Sequence, residues 1–180
     1  MERTELRCYS TERLNMIASD LELITAELES PGLFSEKLNA VVSSGWPPGE
    51  YDREAMEFFR GKMIEGGDES AGWYGWYAVK RGIENEPDEL VAAGGFFGPP
   101  DENGSIEIGY SVVEQFRGKG YAGEMVSALI KIASENPKVK QICAHTVIDN
   151  QASIKVLLKN GFRRSGEPDT EGVILFVLAL

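Results

Sequence analysis

The chain has 180 residues, of which 42% are hydrophobic and 26% are charged, a composition that excludes a fibrous or disordered protein. Its net charge of −11 disfavours binding to the nucleic-acid backbone, and either suits a cationic partner or only keeps the protein soluble. The longest purely apolar run, residues 173–180, is too short to span a membrane, and residues 1–10 are unlike a signal peptide. We therefore expect a single cytoplasmic domain, residues 1–180, that binds neither membrane nor nucleic acid.

Cysteine and histidine are scarce in this sequence. Cys8 and Cys143 are far apart and each lies in an apparent strand, which predicts reduced core thiols rather than a disulfide or a thiolate metal site. The single histidine, His145, has no second ligand nearby, so we expect no histidine metal centre and no Ser-His-Asp triad. A packed core position is the interpretation that we favour for His145, and we predict a protein without metal.

Helical patterns dominate the first third of the chain. A strand at residues 13–19 precedes a helix over residues 20–30, which Ser19 and Glu22 would open as a capping box. Further helices are predicted over residues 34–42 and 52–64. Between these two, the segment SSGWPPGEY at residues 43–51 breaks the pattern with two prolines.

From residue 73 the pattern changes to that of strands. Residues 73–81, 89–98 and 104–113 are separated by polar or Gly/Pro turns, which predicts an antiparallel meander. A long helix follows, because apolar residues recur on one face of it: Ala122, Met125, Val126, Leu129, Ile130 and Ala133.

The rest of the chain alternates between the two patterns. A strand at residues 140–147 precedes a helix over residues 150–160, which Gly161 stops, and closing strands are expected near Phe162 and at residues 173–180. This order of elements, without an internal repeat, predicts a mixed α+β fold.

The segment QFRGKGYAG, residues 115–123, contains a G-x-G-x-x-G pattern between a strand and a helix. The preceding strand alternates polar and apolar residues, and too few residues follow for a doubly wound sheet, which argues against a dinucleotide site. Such a site is kept as an alternative, because Asp149 follows the next strand, where a ribose-binding acid would lie. A Walker P-loop lacks its Gly-Lys-Ser/Thr. What remains is a basic glycine loop at a helix start, which either binds phosphate or is a plain solvated helix end.

Two motifs in the second half of the sequence resemble the GNAT superfamily of N-acetyltransferases. Gln115, Gly118 and Gly120 match its Gln/Arg-x-x-Gly-x-Gly/Ala signature for acetyl-CoA. The segment DNQASIKVLLKNGF is similar to a signature of the branch that includes the ribosomal-protein N-terminal acetyltransferases; it matches at Asn150, Ser153, Leu157, Lys159, Gly161 and Phe162. The resemblance is specific over about residues 89–163.

The resemblance implies an acyl-CoA N-acyltransferase fold, with a mostly antiparallel, splayed sheet between helices. Acetyl-CoA would be the co-substrate, its pyrophosphate in the glycine loop and its pantetheine arm on the backbone of residues 112–113. Asn150 and Ser153 would line its far side, although Asn150 is equally suited to cap a helix. The implied cofactor-binding residues are Val112, Val113, Gln115, Arg117, Gly118, Lys119, Gly120, Tyr121, Ala122, Asn150 and Ser153.

Within this family, transfer to an amine needs few side chains. Glu107 is the best general base, because strand alternation places it on one face with Gly109 and Ser111; a solvent-facing edge carboxylate is the alternative. Many members have a Tyr where this chain has Leu157, and that Tyr protonates the leaving thiolate. Leu157 cannot donate a proton, so Ser111, Tyr110 or a water would have to replace that Tyr, or the reaction would use no dedicated acid.

The acceptor is the least determined part of the prediction. The segment GWPPGEY, residues 45–51, is similar to a Trp-Pro-rich segment of small acetyltransferases, so Trp46 is predicted to line the acceptor pocket. The expected acceptor is a primary amine, either a small molecule or a protein N-terminus, and the chain is expected to be a monomer or homodimer. A non-catalytic acyl-CoA sensor of the same fold and a dinucleotide oxidoreductase are the alternatives.

Overall fold

Within residues 7–180, which the computed structural model describes, eight strands form one mixed sheet with five α-helices on its two faces. The strands are β1 (Cys8–Ser10), β2 (Leu14–Ala18), β3 (Gly75–Lys80), β4 (Glu89–Phe96), β5 (Ser105–Val112), β6 (Gln141–Val147), β7 (Arg163–Ser165) and β8 (Val173–Ala179). The α-helices are α1 (Leu21–Glu29), α2 (Pro31–Leu38), α3 (Arg53–Gly66), α4 (Tyr121–Ser134) and α5 (Gln151–Lys159). Two short 3₁₀ turns, Gly67–Ser70 and Glu114–Phe116, complete the set.

The strand order is β1-β2-β3-β4-β5-β6-β8-β7, and β3, β4 and β5 form the predicted antiparallel meander. The pair β5 and β6 is parallel. These two strands are paired at Ser105–Glu107 and at Gln141–Cys143, although β5 continues to Val112 and β6 to Val147. The sheet therefore opens into a gap beyond Glu107, as the resemblance implies.

The two faces of the sheet bury different sets of apolar side chains. On one face, Met125 and Leu129 of α4 pack with Ile106 and Ile108 of β5, because residues three and four apart share one side of a helix. On the other face, Tyr77 of β3 packs with helical residues of α1 and α2. Glu107, Gly109 and Ser111 alternate with the buried residues of β5 and so lie on this second face.

Several local predictions need correction. Asp20, not Ser19, caps α1: its side chain accepts the N–H of Leu23, whereas Ser19 is buried with its hydroxyl 3.2 Å from that of Tyr77. Helix α2 begins earlier than predicted, because Ser30 caps it and proline fits the first turn of a helix. It ends at Leu38, where the next residue has a left-handed conformation.

The predicted third helix and the helix at residues 150–160 agree with α3 and α5 to within two residues.

The prediction of two core thiols is wrong for Cys8, which is exposed because β1 is the edge strand of the sheet, and Cys143 is only partly buried. Both cysteines are free thiols. Among residues 7–180, no helix combines the length and apolar character that crossing a bilayer requires.

Candidate active site

The predicted glycine loop connects β5 to α4 through the 3₁₀ turn Glu114–Phe116. Gly118 and Gly120 have φ angles of 74° and 86°, in the left-handed region that a Cβ atom makes costly. Gly123 is different, because it lies within the first turn of α4 and a Cβ atom there would have open space. The first two glycines are therefore required by the backbone, and the third is not.

Helix α4 begins differently from the other four α-helices. Those helices each have a side-chain cap at the N-terminus, from Asp20, Ser30, Asp52 and Asn150 respectively. The N-cap of α4 is Gly120, which has no side chain, and the N–H groups of residues 120–123 meet no backbone acceptor within the described part of the chain. Free N–H groups and the positive end of the helix dipole favour an anion at this point.

Three basic side chains surround the loop. Arg13, from the turn between β1 and β2, donates to the carbonyl of Lys119 at 2.9 Å, and its guanidinium lies 4.6 Å from the centre of the Tyr121 ring. Arg117 donates through Nε to the carbonyl of Val112 at 3.1 Å, and the ammonium of Lys119 lies over a phenylalanine ring. Sequence reasoning missed Arg13, because it is more than a hundred residues away along the chain.

Arg13 is held in place by Glu124 of α4. Its Nε lies 2.7 Å from the carboxylate, which also accepts hydrogen bonds from Thr11 and from the backbone of Arg13. Partial burial raises the pKa of Glu124, but these hydrogen bonds outweigh it, so the pKa lies below its ordinary value. The glycine loop is thus fastened to the first hairpin by a charged pair.

The gap between β5 and β6 is a cleft of about 530 Å³ that begins beside Glu107 and is lined by Arg117 near the loop. The carbonyl of Glu107 accepts the N–H of Phe97, just after β4, and the N–H of Val113 donates to Val91 of β4. Because successive residues of a strand point their backbone groups to opposite sides, the even-numbered residues of β5, including Val112, point theirs toward the gap. The backbone N–H of Val112 accordingly points toward the gap. The N–H of Val113 points the other way and donates to Val91, so it is not free to meet a pantetheine arm.

Asn150 and Ser153 line the cleft from the start of α5. The side chain of Asn150 accepts the N–H of Ser153 at 3.1 Å, so it does cap the helix. The hydroxyl of Ser153 lies 2.9 Å from that of Tyr110, which reaches across from β5. Burial raises the pKa of Tyr110, against the effect of this hydrogen bond, and keeps the phenol protonated. Leu157 is fully buried in the core.

Glu107 and His145 form a pair at the mouth of the cleft. The Oε1 of Glu107 lies 2.8 Å from Nδ1 of His145, and both side chains are 40–48% exposed. The prediction of a core histidine is therefore wrong: alternation in β6 buries Ala144 and Thr146 and turns His145 to the opposite face. The parallel pairing of β5 with β6, which the sequence does not reveal, brings the two side chains together.

A second cavity, of about 250 Å³, adjoins the cleft at Gly109, Tyr110 and Ser111, which line both. Its walls are mainly apolar and come from the loop before α3, from α3, from β4 and from the segment after β4; they include Tyr51, Ala55, Phe59 and Phe97. Within residues 7–180, the hydroxyl of Ser111 neither donates nor accepts a hydrogen bond. Gly49 lies close to this hydroxyl: a Cβ atom added at Gly49 would be 2.6 Å from Oγ of Ser111.

Trp46 does not line either cavity, which corrects the prediction that it does. It lies behind Tyr51, with the ring centres 5.9 Å apart, and its Nε1 donates to Glu27 at 2.8 Å. Glu27 also accepts hydrogen bonds from the hydroxyls of Tyr51, at 2.9 Å, and Tyr77, at 2.6 Å. Burial raises the pKa of Glu27, although the three hydrogen bonds act to lower it. Trp46 thus fastens the loop rather than facing a ligand.

A family model described as an acetyltransferase (GNAT) domain matches residues 19–163, which is most of the chain. The chain belongs to the GNAT acetyltransferase family. A relative named as an uncharacterized N-acetyltransferase, YjdG of Bacillus subtilis (strain 168), is 33% identical over 152 residues, which cover 84% of this chain and 87% of the relative.

Solved structures of GNAT proteins share the fold. RimL, a ribosomal L7/L12 alpha-N-protein acetyltransferase in complex with coenzyme A, aligns with a TM-score of 0.66 at 19% identity and covers 97% of this chain and 98% of its own. A GNAT-family acetyltransferase from Bacillus anthracis aligns with a TM-score of 0.63 at 22% identity, over 96% and 98% of the two chains. At such identities the likeness concerns the fold.

Family membership makes the chain an acyltransferase with the predicted acyl-CoA N-acyltransferase fold. The alternative of a dinucleotide oxidoreductase is wrong, because the family model and the fold are those of an acetyltransferase and the sheet is mixed, with a splayed gap between β5 and β6, rather than doubly wound. Among the described residues, no three His, Cys, Asp or Glu side chains are grouped as a metal site would require.

Proposed function

We propose that the protein transfers the acetyl group of acetyl-CoA to a primary amine while both substrates are bound. The observation that carries this proposal is the cleft between β5 and β6, which extends from Arg117 of the glycine loop to the Glu107–His145 pair and opens beside a second cavity. One substrate would occupy the cleft and the other the cavity, meeting at residues 109–111. RimL, which shares the fold, is described in complex with coenzyme A.

The glycine loop fits the pyrophosphate of coenzyme A. The loop at residues 117–122 includes the free N–H groups of residues 120–122 at the start of α4, and Arg13, Arg117 and Lys119 supply positive charge in an acidic protein. Tyr121 would contribute its backbone N–H, since its ring is buried, and Ala122 would act in the same way. Gln115 lies in the 3₁₀ turn, where its family position predicts a role in shaping the loop.

The backbone of Val112 would pair with the pantetheine arm, while Asn150 and Ser153 would line the far side of the cleft. The N–H of Val112 points into the gap and would donate to the thioester carbonyl, stabilising the negative charge that develops there. Asn150 already serves as a helix cap, so its contribution would be to the shape of the cleft.

Acetyl-CoA supplies a thioester carbonyl that a neutral amine can attack. Glu107 would take the proton of the amine, directly or through water, and His145 would hold the carboxylate toward the cleft. Either of two groups would protonate the departing thiolate, the unpartnered hydroxyl of Ser111 or the phenol of Tyr110. Replacing each separately, as Ser111→Ala and Tyr110→Phe, identifies the acid as the variant with the larger loss of kcat.

The decisive experiment has two stages. Calorimetric titration with coenzyme A tests the cleft, and release of free thiol from acetyl-CoA in the presence of amines and of peptides with free N-termini tests the transfer. We expect tight binding and thiol release that depends on an acceptor. Binding without release for any acceptor would instead favour the acyl-CoA sensor, and absence of binding would contradict the whole proposal. Three features stay predictions: that the acceptor is a small amine or a protein N-terminus, that the protein is cytoplasmic, and that it is a monomer or homodimer.

A further inference from the structure

The cavity beside Ser111 has an apolar, aromatic wall. The ring of Phe59 lies 5.8 Å from that of Phe97 and 6.5 Å from that of Tyr51, measured between ring centres. Ala55, one turn before Phe59 on α3, completes this side. A contiguous apolar surface at the point where the acceptor would enter favours an acceptor with an apolar part.

Backbone atoms form the floor of the same cavity. Gly95 and Gly109 are directly paired across β4 and β5, and both line the cavity. A Cβ atom at Gly109 would lie 3.0 Å from the ring of Phe97, so glycine is needed for that ring to lie against the strand. The floor is therefore flat, and the ring of Phe97 is its side wall.

The cavity is large enough for an aromatic or branched aliphatic group. Its volume is about 250 Å³, whereas an apolar cavity of roughly 150 Å³ in another protein holds benzene. The hydroxyl of Tyr51 points away from this space, because it donates to Glu27 at 2.9 Å. The ring of Tyr51 thus presents carbon rather than oxygen to an occupant.

The charges around the cavity have one sign. Glu50 lines both the cavity and the cleft, and Glu107 lines the cleft next to it. Among the described residues that line the cavity, none is Lys, Arg or His. Arg117 lies in the cleft near the glycine loop, with its Nε bound to a backbone carbonyl. His145 lies on the far side of Glu107 and pairs with it. An ammonium group in the cavity would be attracted to the two carboxylates, whereas a carboxylate in the cavity would meet two like charges and no basic side chain of the cavity lining.

We propose that the acceptor is a protonated primary amine that carries an apolar group of about the size of a phenylalanine side chain, with no carboxylate on the carbon that bears the amine. This inference rests on the proposed function and specifies its acceptor. Two sources share this chemistry: a small arylalkyl amine, and a peptide whose first residue has a large apolar side chain, because an amide replaces the carboxylate there.

The test compares acceptors that differ in one group each. Release of thiol from acetyl-CoA is measured with phenethylamine, phenylalaninamide, phenylalanine and ethylamine, and with peptides that begin with Phe or with Ser. We expect kcat/KM at least about 10-fold higher for phenethylamine or phenylalaninamide than for phenylalanine and ethylamine, and a preference for the peptide that begins with Phe. Higher kcat/KM for that peptide than for phenylalaninamide would identify the peptide source; the reverse would identify the small amine.

Equal or better use of phenylalanine, or of ethylamine, would overturn the inference while leaving the proposed function intact, since transfer would still occur. Where none of the acceptors releases thiol, binding decides: calorimetry is repeated with the same compounds and the protein saturated with coenzyme A. Binding of phenethylamine or phenylalaninamide but not phenylalanine supports the acceptor chemistry even if transfer fails. No binding of either compound overturns it.

A charge-reversal variant adds an independent test. Glu50→Lys should lower the kcat/KM ratio of phenethylamine to phenylalanine at least about 10-fold, because the new cation repels the ammonium and attracts the carboxylate. Glu54→Lys is the matched control: it lies four residues away in the first turn of α3, outside both cavities. A ratio that is unchanged in Glu50→Lys, or that changes equally in both variants, would contradict the proposed role of charge.

Discussion

The two sides of the cleft are built in different ways. The proposed coenzyme side centres on a continuous stretch of nine residues, 115–123, whose backbone would supply many of the binding groups. The proposed acceptor side is assembled from α1, α3, the strands β3 to β5 and the loop at residues 43–51, and side chains determine its shape. A site made of backbone leaves a short sequence motif, whereas a site made of distant side chains leaves none.

The largest effect is expected at the coenzyme side. Gly120→Asp should weaken binding of coenzyme A about 1000-fold, because a Cβ atom is strained at this φ angle and a carboxylate beside the pyrophosphate adds roughly 4 kcal/mol of repulsion. Calorimetric titration measures the change. An affinity within 10-fold of the parent would contradict the assignment of the loop.

Glu107→Gln tests the point where the two sides meet. We expect kcat to fall about 100-fold with the affinity for coenzyme A unchanged, since general-base catalysis contributes on the order of 10² or more. His145→Asn should lower kcat by a smaller factor, because it removes the partner and leaves the carboxylate. Glu102→Gln, in the exposed turn before β5, is the control. A variant Glu107→Gln with full kcat would assign the proton transfer to another group.

Glu27→Ala should loosen the acceptor side and leave the coenzyme side intact. The substitution deprives Trp46, Tyr51 and Tyr77 of their acceptor, so the free energy of unfolding should fall by about 2 kcal/mol. The KM of the acceptor should rise more than that of acetyl-CoA. Denaturant titration and steady-state kinetics measure these changes, with the exposed Glu29→Ala as control. An equal rise in both KM values would mean that the two sides are not independent.

Glu27 also predicts a dependence of stability on pH. Because burial raises its pKa in the folded state, the protonated form is favoured there, and this contribution is lost as the pH rises from 4.5 through the raised pKa. Over that interval, the free energy of unfolding of Glu27→Gln should rise relative to that of the parent, because Gln has no proton to lose. A constant difference across the interval would contradict the raised pKa.

Glu124→Gln should have a smaller effect on the coenzyme side. It removes the charge that holds Arg13 against the carbonyl of Lys119, so binding of coenzyme A should weaken about 5-fold. Since the pKa of Glu124 is lowered in the folded state, its contribution to stability is present above pH 4.5 and lost as the pH falls through the lowered value. Arg53→Gln, at a surface pair on α3, should leave the affinity unchanged.

The smallest effect is expected at Gly123→Ala. A Cβ atom there meets nothing within 4 Å, and alanine is the better helix former, so coenzyme A affinity should change less than about 2-fold and thermal stability should rise slightly. Calorimetry and thermal unfolding check both expectations. A loss comparable to that of Gly120→Asp would return the third glycine to the binding motif.

The sequence predicted what neighbouring residues determine. Gly118 and Gly120 have local requirements that only glycine meets, and alternation along β5 places Glu107 on the face of Ser111. His145 was misassigned because its partner is on a parallel strand 38 residues away. The position of Trp46 depends on Glu27, a carboxylate whose burial the sequence pattern does not indicate.

The loop at residues 43–51 is anchored to α1, because the carboxylate of Glu27 accepts hydrogen bonds from both Trp46 and Tyr51, and α1 is joined to β3 through the hydroxyl of Tyr77. An acceptor that enters such a preorganised wall orders no additional chain. Binding therefore avoids the loss of conformational entropy that a mobile lid would impose, and more of the contact energy is retained as affinity. Selectivity at this wall then follows from shape that already exists, so compounds that do not fit are rejected on first contact rather than accommodated by rearrangement.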